Sequence, residues 1–502
     1  MAYLSICILL LPVFLVLYKI WAQCHARSRK PASCRDPPRH SQIDRFFGLD
    51  HFWKLMKLQK QRVYLQTCSE WHEIYGNTFT TVTLGTNIFH TCHPDNLKAV
   101  FEGKGPWSVN RLKAMEPFCG RGFVTTDGEE WKAHRALLAP TLSESSFIDF
   151  DALKVAFDRY LKDLPINGEA VDLAHIFEEF YWDLSSQFLF GKNLSLLRFA
   201  GSPVSISALQ EALEVAQFWM GMRIVFRTVG RLLSGKKFKE ACEVVHTFVD
   251  HHIGEAWSEI SHPLDMLGES IQKPKSKIES SLVYSLAIQN RTPLEVRHLI
   301  IQAMLVTQDT TGIVLSNTIF SMSRAPELWA RLRKEIAGLG PWESWNAQTL
   351  RGCTYLQNLL KESLRLHSLF SANSRVALTD TVLPRGGGSD GSAPVFVPTG
   401  SKVSGSLWTL HHQSSVFGDD ADAFNPNRWD CIRPDTWEFI PFGHGPRSCP
   451  GRHKALTEAA YIIGRMALKF RRIDSRDDQP WTEDDKLVLK NLHGCKVALY
   501  AD

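Results

Sequence analysis

Apolar residues recur at helical spacing over most of the chain, while strict alternation is confined to Asn77 to His90 and to runs between Val376 and Leu407. This pattern predicts a mainly α protein with small β-sheets. Thr292-Pro293-Leu294-Glu295 is the strongest helix start: Thr as N-cap, Pro at the first helical position and Glu completing a capping box. The apolar pattern continues to about Ser323, before Arg324-Ala325-Pro326 closes one helix and opens another. A rod of roughly 30 residues rising 1.5 Å each is about 45 Å long, enough to cross a domain. It is expected to be unbroken and central. A second helix is predicted from Arg452 to Phe470. The run Gly386 to Gly391 lacks the Lys-Ser/Thr and the helix of a phosphate loop and reads as a β-turn. Gln272 to Ser281 reads as a polar surface connection.

The N-terminal pattern is different. Ala2 to Tyr18 is almost unbroken apolar sequence, extended by Ile20 and Trp21 past Lys19, and it is long enough to cross a bilayer once. Met1 to Leu10 has no Lys or Arg, no small-x-small site comes after it, and Arg27, Arg29 and Lys30 lie after the run. A membrane anchor over residues 1–22 is expected, with the remainder on the cytosolic side; a cleaved secretory peptide is the alternative. Pro31, Pro37 and Pro38 mark residues 23–44 as a basic, proline-rich hinge. One domain is then expected over 45–502.

Composition narrows the function classes. With 57 Lys+Arg against 53 Asp+Glu the net charge is only +4, and no basic stripe interleaved with aromatics occurs, so nucleic acid is not an expected partner. The 11 cysteines are scattered, odd in number and without a Cys-x-x-Cys pair, as in a reducing compartment.

One cysteine stands apart. Cys449 lies in Phe442-Gly443-His444-Gly445-Pro446-Arg447-Ser448-Cys449-Pro450-Gly451, just before the predicted helix at Arg452. Loop amides, Arg447 and the helix N-terminus would favour a thiolate there, and Gly445 and Gly451 would let backbone approach a flat ligand. A metal thiolate and a structural cysteine both fit these residues. Elsewhere, Asp309-Thr310 sets an acid and an alcohol in the middle of an apolar helix, against local propensity. Glu362 and Arg365 are three apart on one helix face, which alone describes an exposed pair worth a few tenths of a kcal/mol. Trp131 and Arg135 are one turn apart and describe a surface stack or partners of an anionic ligand edge.

Phe442-x-x-Gly-x-Arg447-x-Cys449-x-Gly451 resembles the haem-binding signature of the cytochrome P450 family. The resemblance implies that family's fold: a helix-rich part with a long central helix, a smaller β-rich part, and here one preceding transmembrane helix. It makes Cys449 the iron ligand of haem b (iron protoporphyrin IX), with Phe442 and Gly451 in the cofactor loop and Trp131, Arg135, Arg375 and Arg447 as propionate partners. Asp309 and Thr310 match the oxygen-activating acid and alcohol, Thr310 hydrogen-bonding dioxygen and Asp309 relaying protons. Val306 and Thr307 depart from the family's small residues and imply a tighter space. Glu362-x-x-Arg365 with Arg428 of Phe424-Asn425-Pro426-Asn427-Arg428 matches a buried structural ion-pair network. Val306, Phe370, Phe218 and Leu492 are candidate substrate-pocket walls, and Arg111 or Arg121 could hold a carboxylate.

The match runs from about Arg45 to the end, and Leu383-Pro384-Arg385-Gly386 with Ala455-Leu456-Thr457-Glu458 makes it similar to the fungal alkane and fatty-acid hydroxylase branch. The resemblance implies a membrane-anchored monooxygenase inserting one atom of O₂ into an apolar small molecule, either a terpenoid or polyketide of fungal secondary metabolism or a fatty acid or alkane. No dinucleotide-binding Gly-x-Gly-x-x-Gly unit or flavin domain is present, so NADPH-cytochrome P450 reductase is the implied electron donor, with Lys132, Arg452 and Lys454 as docking candidates. The implied location is the endoplasmic reticulum membrane, single-pass, with the catalytic domain cytosolic. A haem sensor or carrier without oxygenase activity, and a hydrolase using Cys449 as nucleophile, are the readings from other classes.

Overall fold

The computed structural model describes residues 16–22, 24–142, 150–193, 202–261, 281–289 and 291–501. The chain divides into two compact units whose segments interleave. The first takes Met1–Val109, Phe370–Ala421 and Arg433–Ser448; the second takes Asn110–Leu369, Asp422–Ile432 and Cys449–Asp502.

The first unit is built on a five-stranded sheet. Thr78–Thr83 and Thr86–Thr91 form the antiparallel hairpin expected from their alternation. Thr86–Thr91 then runs parallel to Lys402–Ser406, which pairs antiparallel with Ala372–Ala377, and Trp107–Ser108 closes the far edge. Thr381–Gly387 and Ala393–Val397 make a separate hairpin with the glycine run at its turn, where Asp390 accepts from the Ser392 amide at 3.1 Å. Phe89, Leu97, Phe101, Val395, Val403 and Leu410 fill the core beneath. Residues 16–22 and 24–28 are helical, and Leu17, Tyr18, Ile20 and Trp21 are exposed; residues 1–15 of the expected anchor lie outside the described residues. So do residues 272–280 of the expected polar connection.

The second unit is a helical assembly around the rod anticipated from the Thr292 capping box. Thr292 Oγ1 accepts from the Glu295 amide and Glu295 Oε2 from the Thr292 amide, with Pro293 in the first turn. By length and hydropathy Pro293–Met322 could cross a bilayer, yet 72 % of its most apolar window is buried inside the protein. It is a core helix. Leu299, Ile300, Val296 and Met304 pack with Leu209, Leu213, Val245 and Phe248 from the Ile206–Leu233 and Lys236–Ser261 helices. A three-stranded sheet of Asn167–Asp172, Lys496–Ala501 and Phe470–Ser475 flanks the helices.

The rod is not continuous. It ends at Thr307 and resumes at Thr310, with Asp309 at φ −129°, ψ −27°. Three hydroxyls bond to carbonyls around the interruption. Thr307 Oγ1 donates to the Ala303 carbonyl at 3.0 Å, Thr310 Oγ1 to Val306 at 3.3 Å, and Ser185 Oγ, from the Leu173–Phe190 helix, to Thr307 at 2.7 Å. Periodicity alone could not reveal this, because Ser185 is 122 residues away.

Glu362 and Arg365 are fully buried, not an exposed pair. The Thr354–Leu366 helix turns Leu356, Leu359, Leu360 and Leu364 inward and carries the carboxylate in with them. Glu362 accepts from Arg365 Nε at 2.9 Å and Nη2 at 2.8 Å, Arg428 Nε at 3.0 Å, Trp429 Nε1 at 2.9 Å and the Asn425 amide at 2.9 Å. Both arginines also reach the Ala423 carbonyl, at 3.1 and 3.2 Å. Glu362→Ala would strand two buried guanidinium groups, and a loss of about 3–5 kcal/mol in urea-unfolding free energy is expected; a change below about 1 kcal/mol would refute a structural role for the network.

Candidate active site

The cysteine loop closes by short-range bonds, Gly443 amide to Ile440 carbonyl at 2.9 Å and Ser448 amide to Gly445 carbonyl at 3.0 Å. Gly445 has φ +77°, and a Cβ there would lie 2.1 Å from the Phe101 carbonyl oxygen, so neighbouring backbone already demands glycine at this turn. Gly451 is different. A Cβ on it would meet only the Cys449 sulfur, at 4.0 Å, leaving the space beside the thiol open.

Cys449 is exposed and stands three residues ahead of the start of the Arg452–Lys469 helix, as the sequence predicts. Protein atoms around it push the thiol pKa up by desolvation, against the opposing pull of the Gly451 amide and the Arg135 and Arg452 charges. For the protein atoms by themselves, desolvation of the sulfur outweighs the amide and the cations that the sequence reading expected to favour a thiolate. A metal ion at the sulfur would supply the missing charge. The donor set fits one: an accessible sulfur, two nearby guanidinium groups and an unfilled space beside it.

Arg135 lies on the Gly128–Leu142 helix one turn after buried Trp131, and its own pKa is lowered by burial with Cys449 opposing. In the first unit Arg375 is buried, with Nη1 donating to Asn373 Oδ1 at 3.1 Å and the Ser374 carbonyl at 2.9 Å, and its guanidinium 4.8 Å over the Phe101 ring. Phe442 and Arg447 are half-buried in the same unit.

Asp309 occupies the break in the central rod. Its Oδ1 is sealed from solvent and has no hydrogen-bond partner among the described residues. Desolvation pushes its pKa up to about 6, with Lys490 pulling it down and Glu178 pushing it up. A carboxyl so poised exchanges a proton near neutral pH. Thr310 comes next, and Val306, one turn earlier, exposes 42 % of its surface. The two helix halves thus present an acid, an alcohol and a branched apolar side chain within five residues.

The remaining candidates separate. Phe218 and Leu492 in the second unit and Phe370 in the first are large apolar side chains left exposed. Arg121 is held by Glu130, with Nε at 2.7 Å and Nη2 at 2.6 Å, and Glu116 lies 3.7 Å away. Arg111 has its pKa lowered by burial, with Asp127 partly offsetting it. Lys132 is exposed beside Glu129, Arg452 is exposed, and Lys454 is engaged by Glu458.

Sequence reasoning missed three participants. Trp429 completes the Glu362 network, and its adjacency to Arg428 was the available signal. Arg452 acts on the cysteine as well as being a docking candidate. Gln302, buried on the central rod, accepts from the Val124 amide at 2.7 Å and donates to the Cys119 carbonyl at 2.9 Å, so it fixes the loop after Leu112–Cys119. A lone amide in Leu299-Ile300-Ile301-Gln302-Ala303-Met304 was the legible hint.

The Cytochrome P450 family model matches residues 47–495. The chain is 31% identical over 483 residues to cytochrome P450 monooxygenase iccC of Talaromyces variabilis, covering 95% of this chain and 94% of the relative. It is 29% identical to cytochrome P450 monooxygenase apdE of Emericella nidulans, covering 94% and 90%, and 29% identical to cytochrome P450 52A13 of Debaryomyces hansenii, covering 96% and 94%. An accessible cysteine just before a helix, an acid in a broken central helix and, above all, a match over nearly the whole chain lead to one conclusion: the chain belongs to the cytochrome P450 family and is a haem-thiolate monooxygenase.

Proposed function

We propose that this monooxygenase holds haem b through Cys449 and oxidises a compact apolar molecule, a terpenoid or polyketide intermediate of fungal secondary metabolism. The observation that carries the cofactor assignment is the accessible Cys449 thiol, acted on by Arg135, Arg452 and the Gly451 amide. Haem bound there supplies reductive activation of O₂, so that one oxygen atom enters the substrate and the other leaves as water. The family resemblance supports Phe442 and Gly451 as members of its loop and Trp131, Arg135, Arg375 and Arg447 as its propionate partners. NADPH-cytochrome P450 reductase is the proposed electron source, met by Lys132 and Arg452, while Lys454 is committed to Glu458.

The chain's own residues manage protons and access. Asp309, with its pKa raised to about 6, would hold and release a proton near neutral pH, and the Thr310 hydroxyl, which donates to the Val306 carbonyl at 3.3 Å, would be the neighbouring hydrogen-bond donor once haem and O₂ are bound. Val306 narrows the space above these groups, which favours a compact ring system over a slim chain end. The second reading, fatty-acid or alkane hydroxylation, draws on Arg111: with Arg121 already paired, Arg111 is the remaining candidate to hold a carboxylate. Residues 1–22 are the proposed single-pass anchor in the endoplasmic reticulum membrane, with 23–44 as hinge and 45–502 as the cytosolic catalytic domain.

Cys449→Ala is expected to abolish the red-shifted Soret band of the reduced CO complex; a retained band would remove the ligand assignment. For Asp309 the folded pKa of about 6 lies above the ordinary 3.8, so between those values the folded protein keeps a proton that the unfolded chain releases. Stability contributed at this site therefore falls as pH rises through that window. Asp309→Asn should lose this slope in urea unfolding, and parallel profiles for wild type and variant would count against a raised pKa. Spin-state titration should give tighter binding for a terpenoid and polyketide panel than for fatty acids, with the reverse order selecting the second reading. Deleting residues 1–30 should release most of the chain from microsomes, and unchanged retention would exclude this segment as the main attachment.

A further inference from the structure

We propose that His251, His252 and Glu255 form a binding site for a divalent transition-metal ion of the zinc type, separate from the cysteine centre. The three residues lie on the Lys236–Ser261 helix, and one donor atom from each falls within 4.8 Å of the others. The spacing is what a helix provides: His251 and Glu255 are one turn apart, and His252 reaches the same carboxylate from the i,i+3 position. His252 Nδ1 is 2.6 Å from Glu255 Oε2, and His251 Nε2 is 3.9 Å from Oε1.

The donors are already ordered. His252 is buried against Phe190 and Phe248, with ring centroids 5.0 and 4.7 Å away, so its imidazole has little freedom to lose on binding. His251 stands edge-to-face to it at 5.0 Å, and about a quarter of its side chain stays open to solvent, which gives an ion a path in. Two imidazoles and one carboxylate suit zinc, copper or nickel, whereas magnesium and calcium prefer all-oxygen shells. Water completes the coordination.

In the structure the positive charge facing Glu255 comes from Lys192, whose Nζ is 2.7 Å from Oε1. An ammonium group and a metal ion would compete for this oxygen. Binding would therefore release Lys192, which lies just beyond the Leu173–Phe190 helix, and clamp the two histidines to the glutamate. The competition separates a metal site from a purely structural ion pair: a structural pair is weakened by losing its lysine, whereas a metal site gains.

The haem-loaded full chain, stripped with EDTA, would be titrated with zinc chloride by calorimetry in non-chelating buffer. The expected result is a saturable class of one zinc per chain, lost in His251→Ala and in Glu255→Gln, and absent when magnesium replaces zinc. Lys192→Met should bind zinc about two- to fivefold more tightly, the fold-change expected for removing one partly exposed ion pair. Each variant is checked for an intact reduced-CO spectrum, and a variant that lacks it is replaced by His251→Gln or Glu255→Ala. Equal zinc stoichiometry in wild type and the histidine and glutamate variants, or weaker binding in Lys192→Met, would overturn the proposal.

Discussion

A helix buried over most of its surface leaves its inward polar side chains no water to turn to, and the second unit is arranged around that constraint. Each polar group on the Pro293–Met322 rod must find a carbonyl on its own helix or a partner from a neighbouring element. Ser316, Thr318 and Ser321 bond back to carbonyls four residues earlier. Asn317 receives the Trp481 indole at 3.0 Å, and Gln302 holds the loop after Cys119. The solutions that reach outward tie a loop or strand to the rod. Among the described residues of the rod, Asp309 Oδ1 is the buried side-chain oxygen left without a partner.

The Glu362 network obeys the same rule with charges. A carboxylate and two guanidinium groups can be buried together only if each lone pair and N–H is met, and Trp429, Asn425 and Ala423 meet those the ion pairs leave over. The segment 422–432 is thereby fixed to the Thr354–Leu366 helix, and the chain leads from it into the residues of the cysteine loop.

Local signals in the sequence were reliable where the physics is local. The Thr292 capping box, the helix after Gly451 and the glycine-run hairpin all depend on residues within a few positions of one another, and all three are present. The burial of Glu362 was not readable from spacing alone, because it depends on Arg428 and Trp429 more than 60 residues away; only the family resemblance pointed to it. The break at Gln308-Asp309 was likewise not readable from periodicity, and the Ser185 hydroxyl that meets the Thr307 carbonyl beside it comes from a distant helix. The two units were equally hidden, because each collects separate stretches of chain. The cysteine signature singled out Cys449 from local sequence, but the surroundings of its thiol are set in three dimensions, where desolvation opposes two arginines and an amide.

The interrupted rod has one more property. Aligned peptide dipoles give a helix a partial positive charge at its start and a partial negative charge at its end, each felt over about one turn. A continuous helix would show those charges only at Thr292 and Ser323, near its outer limits. Splitting it sets the negative end of Pro293–Thr307 against the positive end of Thr310–Met322, inside the protein. The two cancel at a distance and leave a steep local field across Gln308 and Asp309. A proton held at Asp309 therefore sits on a gradient made by the backbone itself, which no side-chain substitution would remove while the break persists.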